Sequence, residues 1–149
     1  MAVPRGAALL TGALLAAAAA AAPAVADSAR QAYLAHCAAC HLETGQGVPS
    51  AFPPLDARIG AWAATDSGRD YLVSVVSNGL FGPIEVNGTP YAGAMPQMKH
   101  IESEQLAAAL NHVVTVFAEA QSAPFTAEEL WSRSERQGAV QSRALRPGN

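Results

Sequence analysis

Cys37-Ala38-Ala39-Cys40-His41 constrains this chain more than any other feature. It holds both cysteines of the 149 residues, and a histidine follows the second at once. Two thiols at this spacing with an adjoining imidazole are the arrangement that attaches a c-type haem. The thiols reach two vinyl groups on one side of a porphyrin and form thioethers, and the next residue brings an imidazole to one face of the iron. Other readings of the pair stay open on sequence alone. A thiol–disulfide exchange site wants a strand leading into the helix that carries the motif, and no strand pattern precedes Cys37. A structural zinc site wants four ligands, and His36, His100 and His112 form no second Cys/His pair. A plain disulfide suits an exported chain.

Export is expected from the first residues. Met1 to Arg5 is a short positive stretch. Leu9, Leu10, Leu14, Leu15 and the alanines from Ala16 to Ala22 form an apolar run, and Ala24-Val25-Ala26 gives the small-x-small site of a signal peptidase. Cleavage is placed after Ala26, which makes 1–26 a leader and the product periplasmic. The alternative is a retained anchor, but the run is shorter than the roughly 20 residues of a spanning helix. After cleavage no integral membrane segment is expected. The formal net charge is −3, and the leader takes Arg5 with it. The acids are scattered and no basic stripe exists, which excludes a nucleic-acid binder. A mildly acidic surface leaves the protein partner open.

Apolar spacing predicts helices over about Asp27–Cys40 with Ser28 as cap, about Asp70–Asn78 with a Ser67/Asp70 capping box, and about Ser103–Ala118. Leu106, Leu110, Val113, Val114 and Phe117 form the stripe of the last. Gly79 ends the second in a left-handed conformation. Residues 42–60 and 80–99 read as Gly/Pro loops, with a brief strand over Ile84–Val86 and a turn at Asn87-Gly88. Thr126 and Glu129 form a capping box for a short further helix, and 137–149 reads as a polar, disordered end. The fold class is therefore all-α: three to four short helices with long loops wrapped around one haem. Such loops need something to organise them, and a flat apolar cofactor fills that gap. The organisation is 1–26 leader, 27–120 haem domain and 121–149 C-terminal extension.

A second axial ligand has four candidates: Met95, Met98, His100 and His112; an open site is the remaining choice. Met95 is followed by Pro96 on a Gly/Pro-held loop that can aim a thioether at iron. Met98 reads as core filling. His112 reads as a helix-surface or partly packed side chain, and His36 as edge packing.

Several strings share a pattern: Tyr33-Leu34-Ala35-His36 before the haem motif, then Gly45-Gln46-Gly47, Phe52-Pro53-Pro54-Leu55, Gly82-Pro83-Ile84, Val86-Asn87-Gly88 and Tyr91-Ala92-Gly93-Ala94-Met95-Pro96. Over about Ala29 to Phe117 the chain resembles the bacterial class I monohaem cytochrome c family. Within it the likeness is to haem domains serving periplasmic dehydrogenases. The resemblance implies the cytochrome c fold, one covalently bound haem c on Cys37 and Cys40, and His41 and Met95 on the iron. It also implies that a Pro53 or Pro54 carbonyl accepts the other ring N–H of His41. Trp62 resembles the group that packs near a haem propionate, although a plain core tryptophan fits as well. Leu42 departs from the glycine that this subgroup often carries after the histidine.

The function implied is one-electron transfer by Fe(III)/Fe(II) cycling rather than enzyme catalysis. A periplasmic dehydrogenase would be the donor, and an oxidase or another cytochrome towards the respiratory chain the acceptor. One alternative is a fixed haem subunit of a dehydrogenase complex, with the extension as a docking segment. Another is a haem-based enzyme or small-ligand sensor whose distal side opens.

Overall fold

The structure, a computed structural model, describes residues 16–137 and 142–147. Helix α1 spans Ala16–His36 and α2 spans Ala38–His41, with the change of direction at Cys37. Helix α1 starts upstream of the expected Asp27, so Ser28 is not its cap. Ser28 lies inside the helix, where its hydroxyl donates to the Val25 carbonyl at 2.9 Å. Residues 1–15 of the expected leader lie outside the described residues. Among the described residues no helix is long and apolar enough to cross a membrane.

The loop expected over 42–60 contains a helix that its glycine and prolines conceal. Helix α3, Ala57–Ala63, starts where the Asp56 carboxylate accepts from the Arg58 backbone N–H. Gly60 does not break it. A Cβ there would come within 2.5 Å of the Ala120 Cβ, so this glycine serves a close approach of the chain that follows the last core helix. Helix α4, Asp66–Asn78, begins a turn earlier than the apolar pattern suggests. Thr65, not Ser67, caps it by accepting from the Gly68 N–H at 3.1 Å. Gly79 ends it at a φ of 77°.

Between α4 and the next helix the chain forms two short antiparallel ribbons. Strand β1 (Leu80–Phe81) pairs with β4 (Ala94–Met95), with Leu80 opposite Met95. Strand β2 (Ile84–Val86) pairs with β3 (Thr89–Tyr91) across Asn87-Gly88, both at positive φ, as a tight hairpin turn requires. The expected strand and turn are present, and the fold class remains helical.

Helix α5, Ser103–His112, continues into a single π turn over Val113–Phe117. Leu106, Leu110, Val113 and Val114 are all buried, as the stripe predicts. Helices α1 and α5 pack on each other around Tyr33, which is fully buried. Its ring centroid lies 5.2 Å from that of His112 and 4.9 Å from that of Phe117. His112 is thus buried among rings rather than on the helix surface, and burial lowers its pKa.

Helix α6, Ala127–Gln137, follows with Thr126 accepting from the Glu129 N–H at 3.1 Å, as the capping box predicts. The extension is folded onto the helices. Phe125 and Leu130 are buried, and the Asn111 amide both donates to and accepts from the Phe125 backbone. The expected disorder of the end does not hold at 142–147. Ser142–Leu145 forms a 3₁₀ turn, anchored because the buried Ser142 hydroxyl donates to the Gly79 carbonyl at 2.6 Å and meets Ser74 at 2.9 Å. Residues 138–141 and 148–149 lie outside the described residues.

Candidate functional site

The end of α1 places Cys37, and the single turn of α2 carries Cys40 and His41 back toward the same side. The turn is closed by the His41 N–H donating to the Cys37 carbonyl at 2.9 Å. Burial first, then the neighbouring Cys40, pushes the Cys37 thiol up to about 11. A thiol held neutral is a poor exchange nucleophile, which weighs against the disulfide-exchange reading. Among the described residues no cluster of three or more His, Cys, Asp or Glu is placed to hold a metal ion.

His41 is buried, and its Nδ1–H donates to the Pro53 carbonyl at 2.9 Å. That bond fixes the tautomer and leaves the Nε2 lone pair free to act as a ligand. Burial lowers the His41 pKa, and the Pro53 bond opposes the shift in part.

Cys37, His41 and Met95 open onto one apolar cleft. Its inner part, about 870 Å³ with the mouth included, runs between α3, α4 and α5 past Leu72, Val76 and Leu110. Its outer part, about 710 Å³, adds Cys40, Phe52 and Pro96. Both parts share Cys37, His41, Pro53, Met95 and Met98, so they form one slot divided along that line. Volumes of this order suit a cofactor-sized ligand.

The candidates for a second ligand separate by position. Met95 is half-buried on β4, within the ribbon that lines the slot. The ribbon depends on Gly79, since a Cβ there would meet the Met95 carbonyl oxygen at 2.4 Å. Met98 also lines the slot but is buried in the core, with its N–H on the Val76 carbonyl at 3.1 Å. His100 is exposed and lines neither part, and His112 sits behind the slot against Tyr33. His36 links α1 to α5 through Gln105 at 3.0 Å.

Trp62 lines the inner part and packs edge-on against Tyr71, with ring centroids 5.0 Å apart. Arg58 and Arg146 stand on the same wall. Sequence reading missed both arginines. Arg58 sits in a segment read as loop, and Arg146 in one read as disordered.

A profile of the family described as "Cytochrome C oxidase, cbb3-type, subunit III" matches residues 24–113. The chain belongs to the cytochrome c family. Two Thermus thermophilus proteins named cytochrome c-552 are similar to it. One is 43% identical over 111 residues, covering 72% of this chain and 74% of that protein. The other is 44% identical over 100 residues, covering 64% and 76%. The cytochrome c subunit of a Gluconobacter oxydans quinone alcohol dehydrogenase is 33% identical over 86 residues, 57% of this chain but 17% of that protein. Membership makes this an electron-transfer domain of the cytochrome c type and implies covalently bound haem c. The residues present fit that group: two thiols and an imidazole in the family's order, all facing a slot walled by apolar side chains.

Proposed function

We propose that the chain is a periplasmic monohaem cytochrome that carries single electrons from a periplasmic dehydrogenase toward the respiratory chain, its leader removed after Ala26. The observation that carries this reading is the convergence of Cys37, His41 and Met95 on one apolar slot. Cys37 and Cys40 would hold the haem through thioethers, and the single Cys-x-x-Cys-His motif of this sequence supports a count of one. His41 and Met95 would hold its iron. When bound, the haem supplies the Fe(III)/Fe(II) couple; the chain supplies position and surroundings.

Each residue's part follows from its place. The Pro53 carbonyl orients the His41 ring and raises its basicity by accepting the Nδ1–H. A methionine opposite histidine raises the reduction potential, and a dry apolar wall tunes it further. A methionine fixed on a paired strand also keeps small molecules off the iron, which favours a carrier over a ligand sensor.

The Gluconobacter relative gives one observation in favour of the second reading, a fixed subunit of a dehydrogenase complex. Copurification with a large dehydrogenase subunit distinguishes it from a free carrier. For the haem itself, the double variant Cys37→Ala with Cys40→Ala, expressed with haem-attachment machinery, is expected to give no haem stain after denaturing electrophoresis. Stain retained in that variant would sink the assignment.

A further inference from the structure

The slot is apolar except at one end, where its wall carries Arg58 and Arg146, its two fixed charges; no carboxylate lines it. A haem brings two carboxylates, and a carboxylate does not enter an apolar cleft without a partner. We propose that Arg146, delivered by the folded C-terminal segment, binds a haem propionate and closes this end of the slot. The proposal rests on the haem reading above and names the partner the extension supplies to it.

Arg58 already has its counter-charge. Its guanidinium makes a two-pronged pair with Asp56, Nε to Oδ1 at 2.9 Å and Nη2 to Oδ2 at 3.0 Å. Arg146 has only a neutral partner: its Nη2 donates to the Glu85 backbone carbonyl at 2.6 Å. Among the described residues no carboxylate lies within ion-pair distance of it. A guanidinium carries five N–H donors in a planar fork that matches a carboxylate, so most of its capacity is left to face the slot. The Ser142 anchor to Gly79 sets the approach of the segment.

The surrounding charges favour the same assignment. Asp56 is spent on Arg58 and on the Asn87 amide at 2.9 Å, and the Glu85 side chain is exposed. Tyr71 is buried, which raises its pKa, while Arg146 and then Arg58 oppose the rise; it stays a neutral hydroxyl near the group. With Arg58 and Asp56 cancelling, one uncompensated positive charge faces the place where a negative one must go. The Arg146 guanidinium carbon also lies 6.0 Å from the Trp62 ring centroid, which helps hold it in place.

The test is the pH dependence of the haem midpoint potential. An ionised propionate stabilises Fe(III), so the potential falls as pH rises through the propionate pKa. Arg146 holds that pKa low. In R146Q the fall is expected about one pH unit higher than in the wild type, and R146K is expected to restore it most of the way. Mass spectrometry of the same samples separates the two layers of the argument. A wild-type chain at bare polypeptide mass overturns the haem reading. Haem present in both proteins with superimposable potential curves overturns the Arg146 assignment, and so does a lowered Tm without a displaced curve.

Discussion

Leu42 sits at φ 62° and ψ 164°, a region that glycine enters freely and a leucine does not. It follows the histidine of the Cys-x-x-Cys-His motif directly. The backbone here is pinned from outside, because the buried Tyr33 hydroxyl donates to the Leu42 carbonyl. Leu42→Gly keeps that carbonyl and removes the Cβ clash, at the cost of a more flexible unfolded chain. The balance predicts a gain of about 1 kcal/mol, read as a higher denaturant midpoint at constant m. Met95 gives the second prediction at this scale. If Met95 is the proposed sulfur ligand, Met95→Ala is expected to lower the reduction potential and to let the reduced protein bind carbon monoxide. An oxidised spectrum that kept its sulfur–iron charge-transfer band would mean that the thioether belongs to Met98. That Cys37, Cys40, His41 and Met95 line one slot was legible in sequence, because the Cys-x-x-Cys-His spacing and a Met-Pro pair stand out in Gly/Pro-rich segments. Arg58 and Arg146 carried no such mark: a lone arginine in an irregular segment reads as solvated surface until the chain folds.

At the scale of elements, what the sequence revealed depended on whether a segment's apolar residues were periodic. Helix α5 was readable from Leu106 to Phe117, although not the π turn that ends it, and strand β2 with its turn was readable from Asn87-Gly88. Helix α3 was not. It is short, and Gly60, its apparent breaker, is there to admit Ala120. Helix α6 was readable from its capping box, but its attachment was not. That attachment is electrostatic. The buried Arg69 pairs with Glu129, donates to the Ala63 and Ala123 carbonyls at 3.1 and 2.9 Å, and stacks on Phe125 at 3.8 Å. Arg133 adds Asp66 and Glu129, each at 2.8 Å. The bond from Arg69 holds the Glu129 carboxyl below its ordinary value of 4.5. A carboxylate with a depressed folded-state pKa stabilises the fold above its unfolded pKa, and that contribution is lost as pH falls through the folded one. Glu129→Gln is therefore expected to cost about 2 kcal/mol at neutral pH, by leaving Arg69 without its charge partner. The difference from wild type closes at a pH below that depressed folded-state value, where both chains are uncharged at this position. Urea titrations at the two pH values read it directly, and a constant gap would assign the loss to packing instead.

At the scale of the whole molecule, the extension changes what the chain is. Sequence reading presents 121–149 as an extension with one short helix and a polar end, a shape that suits a docking arm for a partner. The structure folds most of its described part against α4 and α5, with Phe125 and Leu130 in the same core as Tyr33 and Leu110. The reason this was hidden is physical. The tail's apolar residues are few, and what fixes them is a buried arginine on another helix, a reciprocal amide bond from Asn111 and a serine hydroxyl on Gly79. None of these leaves a local pattern. The two views diverge on truncation. A free arm can be removed at Ala120 with stability unchanged and only partner kinetics affected. A folded extension cannot. Its removal exposes the sites of Phe125 and Leu130, each worth about 1.5–3 kcal/mol, and takes from Arg69 both its Glu129 partner and the Ala123 carbonyl. The expected loss is on the order of 5 kcal/mol, which for a domain of this size lowers Tm by at least about 15 °C. The proposed haem attachment should survive, since Cys37 at the junction of α1 and α2 and Cys40 on α2 lie outside the removed segment, so the shortened protein can be purified by its colour and melted beside the full chain. Coincident melting curves would return the extension to the role of a free arm and would remove the support for Arg146 as part of the slot.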